Sequence, residues 1–184
     1  MELLARSKVG DVAAFTTLVR RYEERVYNLA YRMTGNPSDA ADVAQEAFLA
    51  AYEGLGKFRG DAAFYTWLYR IAVNKALMHR RTRDMRPEFA ASSDEASPLD
   101  AAGDPADGPE ERALSNERSA AVQTAISRLP EDYRSIVVLR DIEGFEYEEI
   151  ADILNIALGT VKSRLHRGRL LLRDTLGPFL RVTP

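Results

Sequence analysis

Residues 88 to 111 divide the chain and limit what it can become. The stretch carries eight acids, no lysine or arginine, and prolines at positions 98, 105 and 109, set among Ala, Ser, Asp and Gly with few large apolar side chains. Such a segment cannot bury enough apolar surface to offset the entropy of ordering it, so a flexible acidic linker, disordered in isolation, is expected here. A chain of 184 residues interrupted in this way must build its core twice, in residues 1–87 and again in residues 112–184. Its 46% apolar share is sufficient for both. The interruption also accounts for the net charge of −3. Residues 1–87 hold 14 basic and 10 acidic side chains, a net of +4, and residues 112–184 hold 11 and 10, a net of +1. The acidity therefore belongs to the linker, and each flanking domain is free to meet a polyanion.

Both flanks read as all-α. Asp11 is placed to cap a helix in which Val12, Phe15, Leu18, Val19, Tyr22, Val26, Leu29, Ala30 and Met33 recur on one side, ending at Gly35-Asn36-Pro37. Ser38 or Asp39 starts a second helix, with Ala40, Ala44, Ala47, Phe48, Ala51 and Leu55 inward and Asp42, Gln45, Glu46 and Glu53 on the other side. That outer side is by default a solvated face and secondarily a docking surface.

The third helix follows an aromatic concentration, Phe58 to Asn74, that contains the chain's one Trp. Gly60 and Asp61 predict a turn and an N-cap, and the helix is expected from about Ala62 to Arg83. Phe64, Trp67 or Leu68, Ile71 and Ala72 take the buried spacing. Aromatic stripes at this spacing are usually core. Phe58, Tyr65, Tyr69 and Asn74 fall off the main apolar face or in the preceding loop, and Arg80, Arg81, Arg83 and Arg86 follow with only Asp84 nearby in sequence to offset them. Aromatic rings beside cations suit the stacking of unpaired bases along a phosphate backbone.

The second domain begins near Glu110, with Leu114, Val122, Ala125, Ile126 and Leu129 inward, and Pro130 separates that helix from one marked by Ile136, Val137 and Leu139 that stops at Gly144. Tyr147 to Leu154 is a short helix, Asn155 to Gly159 a tight turn, and Thr160 to about Thr175 a final helix. Short helix, turn and longer helix is the helix-turn-helix plan. Val161, Leu165 and Leu172 point inward, and Lys162, Ser163, His166, Arg167, Arg169 and Arg173 form an outer arc without an acid. The preceding short helix holds Glu146, Glu148, Glu149 and Asp152, so the charge is segregated locally, as a groove-binding face requires.

Several function classes lose their chemistry at this point. Cysteine is absent, and the two histidines, His79 and His166, stand apart, so thiolate catalysis, disulfides and a metal cluster are not expected. No nucleotide-binding loop and no nucleophile with a base is present, so no cofactor, small-molecule substrate or enzymatic activity is expected. No apolar signal core or membrane-length run occurs, which places the protein in the cytoplasm.

Four stretches together resemble the extracytoplasmic-function sigma factors, the smallest members of the bacterial primary sigma family: Gly10-Asp11 with Ala14-Phe15; Asp42 to Phe48; Phe58 to Asn74; and Leu129-Pro130 through Tyr147-Glu148-Glu149-Ile150-Ala151 to Gly159-Thr160-Val161-Lys162-Ser163-Arg164-Leu165-His166-Arg167. The resemblance implies that 1–87 is sigma region 2, 88–111 the linker and 112–184 sigma region 4. It implies docking of Asp42, Gln45, Glu46 and Phe48 on the clamp helices of the largest subunit of core RNA polymerase. Phe58, Arg59, Tyr65, Trp67, Tyr69 and Asn74 stand where the family opens the minus-ten element and holds a flipped base. Lys162, Ser163, Arg164, His166, Arg167 and Arg169 match the readers of the minus-thirty-five element, in a domain that rests on the flap of the second-largest subunit. The linker threads toward the RNA exit channel in such proteins, where an acidic strand is similar to RNA in charge. Promoter DNA and an anti-sigma factor are the further partners implied, in a stress or envelope response. Two positions depart from the pattern. Ala157 replaces a frequent Pro in the turn, and Glu146 replaces a frequent Ser or Thr cap, leaving only the helix-dipole contribution. The competing expectation is a helix-turn-helix activator that binds duplex DNA as a dimer, which leaves the aromatic block and the linker without a purpose.

Overall fold

In a computed structural model, residues 2–60, 62–85 and 108–180 are described; Asp61, Arg86 and most of the acidic connector lie outside them. Among the described residues there are eight α-helices and no strand: α1 (Glu2–Lys8), α2 (Val12–Thr34), α3 (Pro37–Gly54), α4 (Phe64–Asp84), α5 (Pro109–Ser127), α6 (Glu131–Val137), α7 (Tyr147–Leu154) and α8 (Leu158–Leu180).

The first domain packs α2, α3 and α4 against one another. Asp11 caps α2 as expected, its Oδ1 accepting from the Ala14 amide at 3.0 Å, and Arg6 approaches the same carboxylate at 2.8 Å. That amide, and then Arg6, hold the Asp11 carboxyl below the usual carboxylate range. Gly35 closes α2 at a φ of 76°, a conformation that glycine adopts without a Cβ clash. The next helix starts slightly earlier than Ser38, with Asn36 as its cap and Pro37 in the first turn, where a missing N–H costs nothing. Ala40, Ala44, Ala47 and Ala51 are all buried along α3, so its backbone comes close to both neighbours. Val12 is exposed, not part of the apolar stripe, because only the first turn of α2 projects beyond the bundle.

Helix α4 begins at Phe64, two residues later than expected, and Ala63 occupies its N-cap position without a side-chain bond. The cations at its end do find acids, but from other elements. Arg83 pairs with Asp39, and Arg81 reaches Glu131 at 2.8 Å.

In the second domain, α5 starts at Pro109, inside the stretch expected to be linker, and Leu114 and Val122 are exposed on it. Helix α6 continues through a π turn, Val138–Ile142, which widens the coil just before Gly144. The helix-turn-helix is formed by α7 and α8, joined through Asn155 in the left-handed conformation. Helix α8 begins at Leu158 and is longer than expected. It crosses α6 at Gly168, where a Cβ would stand 2.8 Å from Val137 Cγ2.

The two domains share one apolar cluster. Arg134 is wholly buried at their seam. It donates to Ile126 O at 3.0 Å, Ser127 O at 2.5 Å and Leu129 O at 2.6 Å, and to Met33 O of α2 at 3.0 Å. A guanidinium among four carbonyls at two helix ends is satisfied by the negative pole of each helix. Beside it, buried Gln123 donates to Tyr31 O at 3.1 Å and accepts from Arg32 at 3.0 Å.

Candidate nucleic-acid interface

Three surfaces carry the residues singled out in the sequence. On α3, Asp42, Gln45 and Glu46 are exposed and Phe48 is half-buried against the core. Glu46 pairs with Lys75 of α4 at 3.1 Å. Leu49 and Tyr52 are also exposed on this helix, so the outward face has an apolar side that the charge pattern did not reveal.

On the aromatic surface the residues separate. Phe58 is buried, not looped out, because the 3-10 turn Leu55–Lys57 swings it back onto Trp67 and Phe64, at centroid distances of 5.0 and 6.0 Å. Lys8 of α1 sits over its ring and donates to its carbonyl at 2.5 Å. Trp67 is half-buried in the same group, Leu68 fully buried, and Arg59 and Asn74 are exposed.

Tyr65 and Tyr69 leave the core of their own domain but meet the other one. Tyr69 is buried, contrary to its helical spacing, because Phe145 lies edge-on against it at 4.8 Å and Glu143 accepts from its hydroxyl at 2.7 Å. Phe145 is stacked on Tyr65 at 5.5 Å, and the Tyr65 hydroxyl donates to Glu149 at 2.5 Å. Burial, then the Glu143 charge, pushes the Tyr69 phenol well above the usual range, and burial raises the Glu143 carboxyl in turn. For Glu149 burial acts upward, but hydrogen bonds from Tyr65, the Glu146 amide and Thr66 outweigh it and leave the carboxyl below its ordinary value.

The turn that carries Phe145 is held firmly. Arg140 donates to Phe145 O at 2.7 Å, pairs with Glu146 at 2.9 Å and lies over the Tyr147 ring at 4.8 Å. Part of the cap expected to be missing at Glu146 is retained, since Glu149 accepts from the Glu146 amide at 3.0 Å. Between the domains a cavity of about 410 Å³ is lined by Tyr22, Arg25, Tyr65 and Tyr69 on one side and Glu143 and Phe145 on the other. Tyr22, Arg25, Glu143 and Phe145 were not singled out in the sequence. The alternation of acid and aromatic in Glu143-Gly144-Phe145-Glu146-Tyr147 was the available signal.

On the third surface, Val161, Leu165 and Gly168 of α8 face inward while Lys162, Ser163, His166 and Arg167 are exposed. Arg164 and Arg169 lie beside that arc in ion pairs, with Asp132 at 2.8 Å and with Asp141 respectively. The bonds to Asp141 raise the Arg169 pKa. Among the described residues no helix is long and apolar enough to cross a membrane.

A turn-linked helix pair with an exposed basic arc, and a separate helical domain displaying aromatics, is the combination that the comparisons with known proteins match. Residues 18–86 match the family described as Sigma-70 region 2, and residues 119–172 match Sigma-70, region 4. The RNA polymerase sigma-H factor of Pseudomonas aeruginosa is 43% identical, over 98% of this chain and 95% of that protein. The ECF RNA polymerase sigma-E factor of Escherichia coli K12 is 42% identical, over 97% and 95%. Among solved structures, that of CnrH in complex with the cytosolic domain of CnrY superposes with a TM-score of 0.69 at 27% identity, covering 96% of each chain. With both regions present in order and the likeness running through nearly the whole length, the chain belongs to the sigma-70 family, in its extracytoplasmic-function group.

Proposed function

We propose that this alternative sigma factor docks on core RNA polymerase through Asp42, Gln45, Glu46 and Phe48 of α3 and opens the minus-ten element with the surface of α4 and the loop before it. In this assignment residues 1–87 act as region 2, residues 112–184 as region 4, and residues 88–111 as the connector between them. Tyr65 and Tyr69 stack on bases of the melted strand, Asn74 reads one base edge, and Arg59 neutralises phosphate. Phe58 and Trp67 brace that surface from behind, since their rings pack together in the core. Lys162, Ser163, His166 and Arg167 enter the major groove of the minus-thirty-five element, with Arg164 and Arg169 at the edge of the interface. The protein works in the cytoplasm, catalyses no reaction by itself, and is held in check by an anti-sigma partner, a role supported by the solved relative bound to the cytosolic domain of another protein.

The observation that carries this proposal is the coexistence in one chain of an exposed basic helix-turn-helix face and an aromatic surface on a separate helical domain. A dimeric activator requires the first and has no use for the second. In vitro transcription with purified core polymerase on a promoter library tests it. Initiation at a restricted promoter set is expected, and failure to associate with core polymerase would overturn the proposal.

A further inference from the structure

The tyrosines proposed to meet the melted strand are already occupied. Phe145 lies against Tyr65 in a stacked arrangement and against Tyr69 edge-on. The carboxylates of Glu143 and Glu149 take the two tyrosine hydroxyls, and Arg25 shares the cavity beside them with Tyr22. An aromatic ring with flanking negative charges, set on aromatics and a cation, reproduces what an unpaired nucleotide presents: a flat π face and anionic oxygens.

We infer that the turn Glu143 to Glu149 masks a single-strand-binding surface made of Tyr22, Arg25, Tyr65 and Tyr69, with Phe145 in the place of a base and the carboxylates in the place of phosphates. Tyr22 and Arg25 are thereby strand-binding residues, and the free chain closes on itself until polymerase draws its domains apart. The inference rests on the proposed role of Tyr65 and Tyr69. Two features show that the closure is built and not incidental. Arg140 fixes the turn by a hydrogen bond, an ion pair and a ring stack, and a second set of buried bonds, from Gln123 and Arg134 to the end of α2, closes the seam away from the masked surface. A strand must compete with this intramolecular ligand, so apparent affinity falls by the fraction of chains that are open.

The test uses the full chain and a fluorescent pool of random ten-nucleotide single-stranded DNA. Phe145→Ala removes the mask, and Gln123→Ala loosens the seam without touching it. Each is expected to tighten binding about tenfold, in proportion to the open fraction gained. Tyr22→Ala or Arg25→Ala added to Gln123→Ala is expected to give that gain back. A reversible lock is possible because the chain has no cysteine and a Cβ at Gly35 would lie 3.7 Å from that of Ser127, inside the roughly 3.5–4.5 Å range of a disulfide. Gly35→Cys with Ser127→Cys, placed in the Gln123→Ala chain, should lose the gain on oxidation and recover it with reductant. The reduced form controls for the strain of cysteine at a positive φ. No gain in either variant, or a gain that survives the oxidised lock, overturns the masking. Promoter opening by holoenzyme carrying Tyr65→Ala and Tyr69→Ala separates the two ideas. Normal opening there removes the strand-binding role itself, and with it the masking, whereas defective opening without any gain in the free chain removes the masking alone.

Discussion

Phe58 and Asn74 show how far a side chain's job depends on where its neighbours put it. The Phe58 ring is packed against Trp67 and Phe64 under Lys8, so Phe58→Ala is expected to cost about 3–5 kcal/mol and to lower the melting temperature as well as slow promoter opening. Asn74 is exposed, and Asn74→Ala should leave stability within about 0.5 kcal/mol while relaxing preference at one minus-ten position by roughly 1–3 kcal/mol. Melting curves run beside open-complex formation on templates varied one base at a time check both. Glu143 supplies a pH effect. Burial raises its carboxyl above 4.5 in the closed form, so that form binds the proton more tightly than the open one. Closure is therefore favoured as pH falls through the raised value toward 4.5, with Tyr69, Arg25 and Arg32 as the groups facing the carboxylate. The ordinary carboxylate sign is reversed here. A chain with Glu143→Gln is expected to lack this component when seam stability is followed by melting between neutral pH and about 5.

At the scale of single elements, α3 and α8 each present one face to the fold and one to a partner. Replacing Gln45 and Glu46 with Ala removes only the exposed pair with Lys75, worth about 0–1 kcal/mol, so the fold should survive while polymerase binding weakens. Equal core affinity in a normally melting double variant would sink the α3 assignment. On α8, Lys162→Ala or Arg167→Ala should weaken upstream-element binding, and a side chain that neutralises one phosphate should, once removed, reduce the salt slope by about 0.9. Binding isotherms at several salt concentrations measure both quantities. The inner face of α8 is constrained at Gly168, where α6 leaves no room for a Cβ. Gly168→Ala is expected to destabilise the second domain by about 1–3 kcal/mol, read as a lower melting temperature together with weaker duplex binding.

At the scale of the whole molecule, one buried cation ties the halves. Arg134 serves the carbonyl ends of both α2 and α5, and Arg134→Met would leave those carbonyls without a donor in a dry site, at a cost of about 3–5 kcal/mol. The expected outcome is an earlier melt in which the two domains lose their shared transition, followed by calorimetry.

Much of this molecule was legible in its residues because it is governed by local rules. Helix periods, the Asp11 cap, the Gly35 and Gly144 breaks and the basic arc of α8 depend on neighbours one to four positions away, and each can be found from spacing. The outward face of α3 was legible for the same reason. Pairings across 70 or more residues obey no such spacing. Nothing near Tyr69 in the chain announces Glu143, and nothing near Met33 announces Arg134, since a partner brought by folding leaves no period in either segment. Phe58 was misjudged because a three-residue 3-10 turn decides which way it points. Sequence alone determined two helical domains and the chemistry each displays. Only tertiary packing decided that one domain's acidic turn lies on the other's aromatic surface, because that choice belongs to complementary shapes and charges meeting in space.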